Sequence, residues 1–177
     1  MPGSGNNGTT FDNEYMLKHF ILILGISLAA KAYGQDVKMV NFDAVQKLME
    51  RNTDTTYVIN FWATWCNPCV HELPNFDRID SIYKGKEIKI YLISIDFPKE
   101  MNSKLAPFVK KNHVKSTVWL LNDPDYNSWI DKVDTSWDGS IPATLIINNK
   151  LKMRKFNAKE LGLDELNNMV SPFVTKN

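Results

Sequence analysis

The chain has 177 residues, 44% of them hydrophobic, and its 21 basic and 20 acidic side chains leave a formal net charge of +1. That length and apolar content suit one globular domain with a real core. Near-neutrality argues against nucleic acid or an anionic membrane surface as the main partner.

Residues 1–15 are polar, rich in Gly, Asn and Thr and without periodicity, the pattern of a disordered extension. Residues 16–34 read as an export signal: Lys18 precedes the apolar run Phe20 to Ala30, and the small residues Ala32 and Gly34 suit cleavage before Gln35, with Ala30 and Ala32 offering a second site. The run is shorter than the roughly 20 residues that span a bilayer, so cleavage is the first expectation and retention as a signal anchor the second. Translation is expected to start at Met16. The mature domain then covers 35–177, in a periplasmic or otherwise extracytoplasmic setting. Export also suits the cysteine usage, because an oxidising compartment disfavours stray thiols and both cysteines sit in one motif.

From Val37 to Val40 a short extended piece leads to a helix whose N-cap is Asn41 and whose apolar face is Phe42, Val45, Leu48 and Met49. Arg51 to Thr56 is polar turn material. Tyr57 to Trp62 follows as a central strand, apolar throughout except for Asn60.

That strand runs into Cys66 and Cys69, separated by two residues at the start of an amphipathic helix. The pair can close into a small disulfide ring. A helix N-terminus gives Cys66 unpaired N–H groups and partial positive charge, which favour thiolate and hold the pKa below the free value of about 8.5. Cys66 is therefore the expected nucleophile, and Cys69, one turn deeper, resolves the mixed disulfide. Zinc would need about four ligands, and beyond these two cysteines only His19, His71 and His113 are of the usual soft type. No metal or organic cofactor is expected. A purely structural bridge over so short a loop would constrain little of the unfolded chain.

The string Asn60-Phe61-Trp62-Ala63-Thr64-Trp65-Cys66-x-Pro68-Cys69-x-x-Glu72-x-Pro74 resembles the extracytoplasmic TlpA/ResA-type branch of the thioredoxin superfamily, and the likeness extends in order from about Asp36 to the C-terminus. The resemblance implies a thioredoxin-like α/β fold, a central mixed sheet with helices on both faces, and protein thiol:disulfide exchange of the kind that serves cytochrome c maturation. It implies a cis proline at Pro142 facing the dithiol, and it assigns Glu72 to tuning the cysteines. Asn60 stands where thioredoxin carries a buried aspartate that moves the resolving cysteine's proton. An amide cannot take that proton, and Glu72, on the same helix face as Cys69, is the candidate substitute. The plain alternatives are a solvated carboxylate at Glu72 and a hydrogen-bonded buried amide at Asn60. His71 is expected to be exposed and incidental.

The helix continues through Leu73, Phe76, Ile79, Ile82 and Tyr83 on one face, with a kink at Pro74 and a cap at Gly85. Ile88 to Ile95 is the next strand, Ser103 to Lys111 a Lys-rich helix with Pro107 in its first turn, and Thr117 to Leu121 a further strand. Asp123 to Asp125 starts a helix bearing Tyr126, Trp129, Ile130 and Val133. Trp129 and Trp137 are packing residues, with Trp137 close enough to the next motif to line a substrate surface. Ala143 to Ile147 pairs as a hairpin with Leu151 to Phe156, placing Leu151, Met153 and Phe156 toward the core. A last helix, beginning near Leu163, shows Leu163, Leu166, Met169, Val170 and Phe173 on one side and should cover the sheet.

Together these readings predict an extracytoplasmic thiol:disulfide oxidoreductase acting as a reductant of target proteins, with Cys66, Cys69, Glu72 and Pro142 as catalytic residues. Trp62, Trp65 and Ile141 would form the substrate surface, the Ile141 backbone being free to pair with an extended segment. The expected partners are disulfide-bearing proteins and a membrane-bound thiol reductase that supplies electrons, with the chain itself monomeric. A thiol peroxidase is the alternative activity, although peroxiredoxin-type surroundings are absent, and a non-catalytic binding module on the same fold is the other.

Overall fold

The computed structural model describes residues 36–174. The expected extension, signal segment and cleavage site lie outside the described residues.

Eleven regular elements follow in chain order: β1 (Lys38–Val40), α1 (Phe42–Met49), β2 (Thr56–Trp62), α2 (Asn67–Ile82), β3 (Ile88–Ser94), α3 (Ala106–Lys111), β4 (Thr117–Leu121), α4 (Ile130–Val133), β5 (Ala143–Asn148), β6 (Met153–Asn157) and α5 (Leu163–Val170). The strands form one sheet in the order β1-β4-β3-β2-β5-β6. The pairs β1–β4, β4–β3 and β3–β2 are parallel, whereas β2–β5 and β5–β6 are antiparallel. This is the mixed sheet that the sequence predicts.

β2 is buried along its whole length, which is why its sequence is continuously apolar rather than alternating. Its side chains divide between two cores. Val58 and Trp62 pack with Leu73, Phe76 and Ile79 of α2 and Leu166 and Val170 of α5. Tyr57, Ile59 and Phe61 pack with Phe42, Val45 and Leu48 of α1 and with Trp129, Val133 and Trp137. Helices thus cover both faces. The Asn41 side chain accepts the Ala44 N–H and caps α1 as its position predicts.

Some local expectations differ. Tyr126–Ser128 is a 3₁₀ turn separated from the four-residue α4 by Trp129, whose φ of −134° breaks the helix. Ser103 to Leu105 belongs to a π-helical turn, Met101–Leu105, and Pro107 then falls in the first turn of α3, where its missing N–H costs nothing. Ile82 is exposed rather than packed, being the last residue of α2. Tyr83 caps that helix, and Gly85, at φ +83°, sits in the following turn. Leu151 is exposed because it lies in the turn before β6 begins.

Candidate functional site

Three chain segments meet at one end of the sheet. β2 ends at Trp62, and Ala63 to Trp65 carry the chain into α2, whose N-cap is Cys66. Cys66 Sγ accepts the Cys69 N–H at 3.3 Å, satisfying one of the donors a helix start leaves free. The two sulfurs are joined in a disulfide. Their exposure differs as the sequence predicts, with Cys66 7% exposed and Cys69 fully buried.

The entry loop is fixed from β3. Asp96, buried two residues past that strand, accepts the Thr64 N–H at 2.9 Å, the Thr64 hydroxyl at 2.5 Å and the Ser94 hydroxyl at 2.8 Å. A carboxylate bonded this way fixes the backbone directly before Trp65 and Cys66. Sequence reading treats Asp96 only as the end of a strand. The available signal is an acid directly after an apolar run, in a fold whose neighbouring strand ends at the same level.

β5 supplies the third segment. The Ile141–Pro142 peptide is cis, and the Ile141 carbonyl oxygen lies 3.8 Å from Cys66 Sγ. Gly139 helps set this loop. It has φ +87°, a backbone conformation that favours glycine, and a Cβ there would stand 2.9 Å from Ile130 Cδ1, the movable end of that side chain.

A buried polar cluster joins β2, the first turns of α2 and β5. Asn60 and Glu72 are both at most 1% exposed. Asn60 Nδ2 donates to Glu72 Oε1 at 2.7 Å, to Thr144 Oγ1 at 3.1 Å and to the Ala143 carbonyl at 3.4 Å. The Leu161 N–H donates to Glu72 Oε2 at 2.8 Å, and Asn75 Nδ2 donates to the Leu161 carbonyl at 3.0 Å. Burial pushes the Glu72 pKa up from 4.5 to about 7, opposed by the Leu161 and Asn60 hydrogen bonds and assisted by the negative charge of Glu160. Glu72 is therefore no solvated carboxylate, and Asn60 is a hydrogen-bonded buried amide. The Leu161 contact bridges 89 positions and comes from a backbone group that no side-chain pattern announces. His71 is 84% exposed, as expected, and contacts the Glu160 carboxylate.

Two substrate-surface expectations need correction. Trp62 is fully buried, packed against Phe108, and has no surface to offer a partner. Trp137 is also buried, its ring tilted against those of Phe61, Trp129 and Phe156 as the packing expectation has it, with Nε1 donating to the Ser140 carbonyl at 2.8 Å. Trp65 is 53% exposed and Ile141 partly so. Among the described residues no three His, Cys, Asp or Glu side chains are gathered as a metal ion would need, and no helix is long and apolar enough to cross a membrane.

Residues 30–156 match a family model described as the AhpC/TSA family. The chain is 38% identical over 48 residues to the thiol-disulfide oxidoreductase ResA of Geobacillus kaustophilus, a match covering 27% of this chain and 28% of that protein. The chain thus matches less than a third of the length of that relative. Among solved structures, the thioredoxin domain of a thiol-disulfide oxidoreductase from Bacteroides vulgatus is 25% identical with a TM-score of 0.53, over 69% of this chain and 81% of that one. A thioredoxin-related protein from Neisseria meningitidis serogroup B is 21% identical with a TM-score of 0.57, over 67% of this chain and 84% of the other. The fold is thioredoxin-like.

Proposed function

The chain belongs to the AhpC/TSA family, and from that premise we propose that it is an extracytoplasmic protein thiol:disulfide oxidoreductase working as a reductant. The observation that carries the reading is a disulfide at a helix start, its first cysteine 7% exposed and its second fully buried, with a buried carboxyl group of pKa about 7 on the same helix face.

In the reduced protein the Cys66 thiolate attacks one sulfur of a target disulfide. A mixed disulfide forms and the first target thiolate leaves. Cys69 then loses its proton and attacks Cys66 Sγ. The second target thiolate departs, so the target gains two electrons and the Cys66–Cys69 bond is restored. Glu72 suits the acceptor of the Cys69 proton, since a group with a pKa near 7 exchanges protons readily at neutral pH. Asn60, a donor to Glu72, positions it. Ile141 offers its backbone to an extended target segment beside Cys66, with Pro142 holding that turn and Trp65 as exposed apolar surface. A membrane-bound thiol reductase would return electrons to a monomeric enzyme, and an apocytochrome c of the maturation pathway is one target the reading admits.

A Cys69→Ser variant tests this directly. It should accumulate a mixed disulfide through Cys66, and the captured protein identifies the target. Redox titration should give a potential well below the roughly −120 mV of the oxidant DsbA. A value near that oxidant would reverse the direction. Rapid peroxide consumption would favour the peroxidase, and full function in Cys66→Ser would favour a binding module.

A further inference from the structure

β2 and β3 run parallel with Trp62 opposite Ser94, and the ladder extends one step further through the Ile95 N–H to the Trp62 carbonyl at 2.9 Å. Trp65 and Phe97 therefore each lie three residues beyond the same paired position. The Thr64–Asp96 bonds hold the two loops together immediately before these residues. Trp65 is 53% exposed and Phe97 61%, the latter being the most exposed large apolar side chain described. A single apolar residue at the surface carries no message. Two exposed aromatic residues, each three positions past the end of a paired strand and on loops tied together by the Thr64–Asp96 bonds, do.

The sheet order places β2 between β3 and β5. The Ile141 carbonyl approaches Cys66 from the β5 side, 3.8 Å from its sulfur, and on the β3 side Asp96, the neighbour of Phe97, is bonded to Thr64, two positions before Cys66. An extended target segment pairing with Ile141 would bring its sulfur to Cys66 and carry its neighbouring side chains across Trp65 toward Phe97. In an extended segment, side chains two positions apart point to one face, so the residue two places from the target cysteine has the reach.

We propose that Phe97, together with Trp65, forms an apolar rim that selects target disulfides flanked by an aromatic or large aliphatic side chain. The inference rests on the reading of the chain as a protein disulfide reductase and names the substrate class of that same site.

The test uses the reduced, otherwise intact protein and two disulfide-linked peptide dimers, identical except for Phe or Gly two positions from the cysteine. Each turnover converts one dimer to two thiol peptides and closes the Cys66–Cys69 bond. The wild type should reduce the Phe peptide about tenfold faster, the upper end of what one aromatic contact contributes. Phe97→Ala should shrink that preference to about twofold, and Phe97→Leu should keep most of it. Equal rates for the two peptides with the wild type, or a preference that survives Phe97→Ala, would overturn the proposal. So would concentration-dependent dimerisation abolished by Phe97→Ala, which would assign the rim to a second copy of the chain. If the wild type reduces neither peptide, the reductase reading itself falls and takes the rim with it.

Discussion

Replacing Glu72 by Gln should flatten the dependence of stability on pH. Burial raises the Glu72 pKa from 4.5 to about 7, so the folded protein binds this proton more tightly than the unfolded chain does. The resulting stability is fully present below 4.5 and is lost as pH rises through about 7. At about 1.36 kcal/mol per pKa unit, the loss across that window is about 3 kcal/mol. Gln cannot ionise. It also cannot accept from both Asn60 Nδ2 and the Leu161 N–H as the carboxylate does, which adds a cost independent of pH. The slope is therefore the informative quantity, and the offset is not. Urea denaturation of both oxidised proteins between about pH 4 and about pH 8 measures it, and the bonded cysteines do not titrate in that form. The wild type should lose about 3 kcal/mol relative to the variant over this range. Parallel curves, differing in slope by less than about 1 kcal/mol, would refute the assignment of a raised pKa to this buried acid.

Asp96→Ala removes the acceptor for the Thr64 N–H, the Thr64 hydroxyl and the Ser94 hydroxyl together. We expect a loss of about 2–4 kcal/mol in denaturant unfolding and slower attack by Cys66 on a disulfide probe, and unaltered attack would mean that the entry loop does not need this tether. Gly139→Ala meets both φ +87° and the 2.9 Å approach to Ile130 Cδ1, so it should cost more than about 1 kcal/mol. Adding Ile130→Val relieves the contact alone and should recover only part, whereas full recovery would show the backbone conformation to be free of cost. Glu160→Gln removes a like charge near Glu72 and should lower its titration midpoint in carboxyl NMR of the oxidised protein, while His71→Glu adds one and should raise it. Shifts in the same direction would mean that the His71–Glu160 contact only holds the loop.

The parts of the molecule legible in the sequence are those whose pattern is local. β2 announces itself because burial on both faces demands a run that is apolar but for Asn60, and α1 because Asn41 and the apolar face Phe42, Val45, Leu48 and Met49 are self-contained signals. The dithiol is legible from spacing and from its place between strand and helix. The two tryptophans beside it are not separable this way. Trp62 closes the strand and Trp65 stands in the loop, where the twofold alternation has stopped, so one is buried and the other exposed by tertiary packing alone. Helix ends fail for a similar reason. Ile82 fits the periodicity of α2 but is its last residue, and the stretch from Tyr126 to Val133 has helical spacing interrupted by the backbone at Trp129. Asp96 and Leu161 act through partners 32 and 89 positions away, one of them a bare N–H, and no local pattern carries such pairings.

The buried polar cluster divides a task between strand and helix. A carboxylate on β2 would be enclosed on both faces of the sheet, whereas Asn60 there is a neutral donor that burial penalises far less. The acid is supplied instead by α2, where Glu72 receives one hydrogen bond from β2 and one from the segment that leads into α5. Those two bonds stabilise the ionised form, while burial and Glu160 favour the protonated one, and the balance falls at about 7. Without the two donors the carboxyl group would stay protonated at neutral pH and could accept nothing, and without burial it would stay ionised and hold nothing. Asn60 cannot carry a proton itself. By stabilising the ionised carboxylate it nonetheless helps keep Glu72 near the pH at which a proton can both arrive from a thiol and leave for solvent.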